Sequence, residues 1–126
     1  MVERAELRRK ILVIDDDAVA RRVLEQRLRE SGYSTVFAFD AVSVLRIARD
    51  ESPDLILLDI GLPGGDGFVV MERLKRIQTL AHIPVIVFTA REQAREQALA
   101  AGAAAFFEKT RGPDAVLAEI REQLGS

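Results

Sequence analysis

The chain of 126 residues contains no cysteine and a single histidine, His82. Without cysteine there are no disulfides, thiolate nucleophiles, Cys-bound zinc or iron–sulfur clusters. One histidine excludes a multi-His metal centre and leaves a Ser-His-Asp triad without support. Strong charge of either sign is also missing: 18 basic against 20 acidic residues give a net charge of −2, which offers no general basic field for nucleic acid. Long apolar runs are absent too. The longest stretch free of charged or polar side chains, Ala98 to Phe107, falls far short of the ~20 residues of a membrane span. The charged N-terminus, Met1 to Lys10, has no signal-peptide core. These features predict a cytoplasmic protein without membrane or direct nucleic-acid contact. Lysine is scarce as well, since only Lys10, Lys75 and Lys109 interrupt an arginine-dominated set of cations. What remains is chemistry run by carboxylates, hydroxyls and amines.

Hydrophobic residues make up 48% of the chain, enough for a packed core in one domain of ordinary length. Five short apolar runs stand out: Ile11–Ile14, Thr35–Phe39, Leu55–Leu58, Ile83–Phe88 and Ala104–Phe107. Continuous runs of this kind suit strands buried on both faces of a parallel sheet. Between them the apolar period becomes helical, as in Ala20, Val23, Leu24 and Leu28, or Ala41, Val44, Leu45 and Ala48. Val70, Leu74 and Ile77 form a third stripe and Val116, Ile120 and Leu124 a last one, while Arg91 to Ala101 reads as an Ala- and Arg-rich fourth helix. Gly32 and Gly102 stand at predicted helix ends, and Pro113 suits a first helical turn. Five strand–helix alternations predict a doubly wound α/β domain with a five-stranded parallel sheet. In such a sheet, ligands bind beyond the carboxyl ends of the strands.

The residues just after each run therefore carry the chemistry. The first run ends in Asp15-Asp16-Asp17. Asp17 reads as the cap of the following helix. That cap does not account for Asp15 and Asp16, which read as oxygen ligands for a hard divalent cation such as Mg²⁺. Asp59 after the third run is a solvated strand-end charge if isolated. If the first and third strands are neighbours, it joins Asp15 and Asp16 in one acidic pocket. Gly61 would then let a backbone carbonyl approach a metal, and Asp66-Gly67 turns the chain into the next helix. Thr89 follows the fourth run and Lys109 the fifth, a compact cation suited to a carboxylate or phosphoryl oxygen. Lys10 and Lys75 read as solvated surface, and His82 as a loop residue at the opposite end of a strand. Carboxylates, a hydroxyl and an ammonium on one sheet edge are the equipment for phosphoryl transfer to a carboxylate.

The segments Ile11–Asp17, Pro53–Asp59, Leu62-Pro63 with Asp66-Gly67, Pro84–Ala90 and Lys109 resemble the receiver domain (CheY-like) of bacterial two-component response regulators. The resemblance covers the whole chain, with a core of about 9–124, and implies a single domain over 1–126. It implies a flavodoxin-like sheet of order 2-1-3-4-5 flanked by five helices. It further implies that Asp59 is the phosphoacceptor, served by a sensor histidine kinase or a histidine phosphotransfer protein. Asp16, Asp59 and the carbonyl of Gly61 would ligate Mg²⁺, with Asp15 acting through water, and Thr89 and Lys109 would contact the phosphoryl group. Thr89 and Phe106 would be the switch residues, signalling to an output partner through the fourth helix, fifth strand and fifth helix. Such a domain promotes its own phosphorylation and dephosphorylation and is not a conventional enzyme. It is expected as a monomer or a weak phosphorylation-dependent dimer.

Three positions depart from the family. Thr110 stands where a proline usually follows the lysine, which predicts a trans bond and a differently shaped loop. Phe106 replaces a frequent tyrosine, and Gly61 offers no side chain beside the acceptor, which leaves Arg91 as the modulator of phosphate lifetime. Two other readings compete. One is a receiver-fold interaction module that is never phosphorylated. The other is a small haloacid-dehalogenase-type phosphohydrolase using Asp15-x-Asp17, a motif that normally comes with a longer chain.

Overall fold

A computed structural model of the chain describes residues 8–63 and 66–125. Most of the N-terminal segment, Gly64-Gly65 and Ser126 lie outside these. The strands are β1 (Lys10–Ile14), β2 (Ser34–Ala38), β3 (Leu55–Leu58), β4 (Val85–Thr89) and β5 (Ala105–Glu108). The helices are α1 (Ala18–Glu30), α2 (Ala41–Glu51), α3 (Gly67–Arg76), α4 (Arg95–Ala100) and α5 (Pro113–Leu124). All strand pairs are parallel and their order is β2-β1-β3-β4-β5, the doubly wound arrangement expected from the alternation.

Side-chain alternation splits the core in two. Leu12, Ile14, Ile56, Leu58, Val85, Val87 and Phe106 face α2, α3 and α4, where they meet Val44, Ala48, Val70, Met71, Leu74 and Ala98. Ile11, Val13, Leu55, Leu57, Ile86 and Phe88 face α1 and α5, against Leu24, Leu28, Val116, Leu117 and Ile120. Each buried residue of this size contributes about 1.5–3 kcal/mol of burial free energy, so both layers must be filled for the sheet to stay covered. Strand reversal occurs between β1 and β3, which pair from Ile11↔Leu55 to Ile14↔Leu58. That register sets Asp15 and Asp59 at the same level of the sheet edge.

Caps fix the helices that bound this edge. Asp17 accepts from the Val19 and Ala20 amides at α1, Asp40 from Ser43 at α2, and Asp66 from Phe68 at α3. Gly67 is required by space rather than torsion: a Cβ there would lie 2.6 Å from the Ile60 Cα and 2.7 Å from its carbonyl oxygen. Gly32 and Gly102 have φ of +93° and +105°, as their helix-end positions suggested.

Four sequence expectations need correction. The fourth helix does not run from Arg91 to Ala101. A 3-10 turn, Glu92–Ala94, precedes a helix of six residues, Arg95–Ala100, and no side chain caps either start. Phe39 is not part of the second strand's core: β2 ends at Ala38, and Phe39 is 50% exposed. Val23, placed on the buried stripe of α1, is an exposed hydrophobic, and Leu24 and Leu28 do the packing. Lys10 is not simply solvated, because its Nζ donates to the Glu51 carbonyl and side chain at the C-terminus of α2, both at 3.1 Å. A cation there opposes the negative end of the helix dipole.

Candidate functional site

Asp15, Asp59 and Thr89 are the polar residues buried among the described core. All three lie at or just beyond carboxyl ends of strands, and their backbones are tied into the sheet. The Asp15 amide donates to Ala38 O at 3.2 Å and the Asp59 amide to Ile14 O at 2.9 Å. Thr89 pairs with Glu108 across β4 and β5, which leaves Lys109 one residue further at the same edge.

The side chains converge on Asp59. Its Oδ1 accepts from the Thr89 hydroxyl at 2.8 Å and from the Gly61 amide at 3.1 Å. Its Oδ2 accepts from Lys109 Nζ at 2.9 Å, and the same ammonium lies 2.7 Å from Asp15 Oδ2. Asp15 Oδ1 accepts in turn from the Asp17 amide at 2.9 Å. Asp16 is exposed, yet a carboxylate oxygen from each of Asp15, Asp16 and Asp59 falls within 4.8 Å of the other two.

Burial pushes the Asp15 carboxyl above the usual carboxylate range; the Lys109 hydrogen bond and charge and the Asp17 amide oppose this only in part, and the Asp59 charge adds to it. Burial disfavours the Lys109 ammonium. Hydrogen bonds to Asp15 and Asp59, with their charges, outweigh that and hold it above the usual lysine range. One ammonium bridges two of the three carboxylates, Asp15 and Asp59, so the cluster keeps an excess of negative charge. An all-oxygen donor set with that excess fits a hard divalent cation such as Mg²⁺.

The structure brings together Asp15, Asp16, Asp59, Thr89, Lys109 and the Gly61 backbone. It does not bring in Asp17, whose carboxylate caps α1, so Asp15 and Asp17 do not converge as a hydrolase pair would. Nor is glycine sterically needed at 61, since an added Cβ would meet only Asp59 Oδ1, at 3.9 Å. Its amide is what touches the acceptor. The Arg91 amide lies 3.4 Å from Thr89 Oγ1, and its side chain is exposed. Phe106 is buried in the α4-side core, with Arg95 above its ring at 6.0 Å. After Lys109 the chain makes a 3-10 turn, Lys109–Arg111, closed by the Gly112 amide on Lys109 O. There is no cis bond among the described residues.

One residue at the rim escaped the sequence reading. Arg21, one turn into α1, places its guanidinium 4.2 Å from the Phe39 ring centroid and donates to the Asp15 carbonyl at 3.3 Å. Its spacing from Asp17 marks it only as helical, so nothing in the chain singles it out.

A sequence model described as "Response regulator receiver domain" matches residues 11–121. Among curated relatives, "Response regulator PleD" from Caulobacter vibrioides is 39% identical over 114 residues, covering 89% of this chain and 25% of PleD. The chain spans a quarter to a half of the length of the curated relatives it matches. Among solved structures, the receiver domain of sensor histidine kinase PA1611 from Pseudomonas aeruginosa, with a magnesium ion in its active-site cleft, superposes with a TM-score of 0.85. It is 27% identical and covers 94% of this chain and 99% of that one. The BeF3-activated N-terminal receiver domain of RstA from Klebsiella pneumoniae gives a TM-score of 0.83 at 28% identity, covering 93% and 99%.

Proposed function

This chain belongs to the family of response regulator receiver domains, and on that premise we propose that it works as a phosphorylation-dependent switch with Asp59 as the phosphoacceptor. The observation that carries this reading is the simultaneous engagement of Asp59 by a hydroxyl, a backbone amide and an ammonium. An Asp59 carboxylate oxygen attacks the phosphorus of a phosphohistidine on a partner kinase or phosphotransfer protein. The O–P bond forms as the P–N bond breaks, and the electron pair returns to the imidazole nitrogen. Lys109 then faces the phosphoryl oxygens and Thr89 donates its hydroxyl to one of them, stabilising charge that grows in the transition state.

Asp16, Asp59 and the Gly61 carbonyl would hold Mg²⁺, with Asp15 acting through water. The bound ion would supply the positive charge that screens the carboxylates from the incoming phosphoryl group. A magnesium ion in the cleft of the PA1611 receiver supports this assignment. Movement of Thr89 toward the new phosphoryl group and reorientation of Phe106 would alter the face of α4, β5 and α5 that an output protein reads. In this reading the single domain spans 1–126 and acts in the cytoplasm as a monomer or a weak phosphorylation-dependent dimer. It is a signalling switch with self-directed phosphotransfer rather than a conventional enzyme. Among the described residues no helix is long and apolar enough to cross a membrane.

Labelling by an acyl phosphate tests the reading. Mg²⁺-dependent incorporation that disappears in Asp59→Asn is the expected result. No incorporation into the parent would instead leave a receiver-fold interaction module.

A further inference from the structure

Phe39 is a half-exposed aromatic at the end of β2, where solvent exposure of such a ring gains nothing by itself. Arg21 covers it at 4.2 Å, within the range of a cation–π contact. Among the described residues Arg21 forms no ion pair, and its side-chain hydrogen bond goes to the Asp15 carbonyl. The guanidinium thus joins three pieces of chain: α1, the end of β1 that carries Asp15 and Asp16, and the turn after β2. The backbone adds a parallel tie, Asp15 N to Ala38 O.

We propose that Arg21, held against the Phe39 ring, is a positioning residue that fixes the Asp15-Asp16 segment in the arrangement needed to bind a divalent cation. The proposal rests on the Mg²⁺ reading of the acidic cluster. Its sign separates it from plain electrostatics. Arg21 is a cation beside a cation site, so its charge alone weakens Mg²⁺ binding, and deleting it should tighten the ion's hold. If instead the residue orders the ligands, deleting it loosens binding, on the order of tenfold as for other contacts that orient metal ligands from behind.

The test is a Mg²⁺ titration followed by amide NMR shifts, for the full chain and for Arg21→Ala, Phe39→Leu, Arg21→Lys and the double variant Arg21→Ala with Phe39→Leu. Arg21→Ala should raise the Mg²⁺ dissociation constant about tenfold, and Phe39→Leu should raise it severalfold. The double variant should be no weaker than Arg21→Ala alone, because both changes break one unit. Arg21→Lys keeps a cation over the ring and a donor for the carbonyl, and should recover part of the affinity. Unchanged or tighter binding in Arg21→Ala, or additive losses in the double variant, overturns the proposal. Should Arg21→Ala fail to fold, unchanged affinity in Phe39→Leu has the same force. A parent that is labelled by acyl phosphate yet shows no saturable Mg²⁺ shift removes the metal reading, and the role of Arg21 with it.

Discussion

Replacing Lys109 with methionine keeps most of the side-chain volume and removes the one cation that two buried carboxylates share. At 2.7 and 2.9 Å, each contact corresponds to about 6 kcal/mol of Coulomb attraction at an effective dielectric of ~20, before desolvation. The burial cost of the ammonium disappears with it, and removing one partner from a buried ion pair costs ~3–5 kcal/mol on balance. The Lys109 side chain is 19% exposed, and Asp15 can relieve the strain by taking up a proton, so the lower end applies. A loss of about 3 kcal/mol at pH 7, or roughly 10 °C in Tm, follows for a chain of this length. The pH dependence has a definite sign. Asp15 already binds its proton more tightly in the folded state than in the unfolded one, so its contribution is full below the ordinary carboxylate range and is lost as pH rises through its elevated value. Without Lys109 that value climbs further, and the variant's deficit should therefore narrow between pH 7 and pH 5. Saturating Mg²⁺ should narrow it as well. Urea unfolding at both pH values, with and without Mg²⁺, measures this directly. A deficit under about 1 kcal/mol at pH 7, or one independent of both pH and Mg²⁺, would refute the reasoning.

Two further outcomes follow from contacts already described. Gly67→Ala forces a methyl against the Ile60 backbone and should cost about 2 kcal/mol or more in urea unfolding, whereas Gly61→Ala, whose methyl would make only an ordinary contact with Asp59 Oδ1, should leave stability within ~0.5 kcal/mol; equal costs would contradict the placement of α3. Arg91→Ala should change the rate of autodephosphorylation of labelled protein, and identical decay in parent and variant removes Arg91 as a modulator.

The fold was legible because parallel strands buried on both faces must be apolar throughout, and Ile11–Ile14, Leu55–Leu58 and the run ending at Phe88 carry that mark without ambiguity. Asp59 became interpretable once β1 and β3 could be placed side by side, because three carboxylates brought to one edge demand a cation. Gly67 was read only as a turn residue because a steric demand from Ile60 leaves no trace in turn chemistry. The pairing of Arg21 with Phe39 was invisible for a related reason. An arginine on a helix surface and an aromatic at a strand's end are ordinary until the fold stacks one on the other. The short α4 was overestimated because its alanines favour helix wherever they stand, while the uncapped entry at Glu92–Ala94 takes the tighter 3-10 form.

Strand order in this sheet also serves as a ruler. β5 lies two places from β3, about 10 Å at ~4.8 Å per gap, and an aspartate facing a lysine just fills that width. A shorter cation would stop in mid-gap. An arginine could span it, but its flat fork suits the two oxygens of one carboxylate rather than single oxygens of two acids from different strands. A chain that elsewhere spends arginine freely therefore has a geometric reason to keep a lysine at 109.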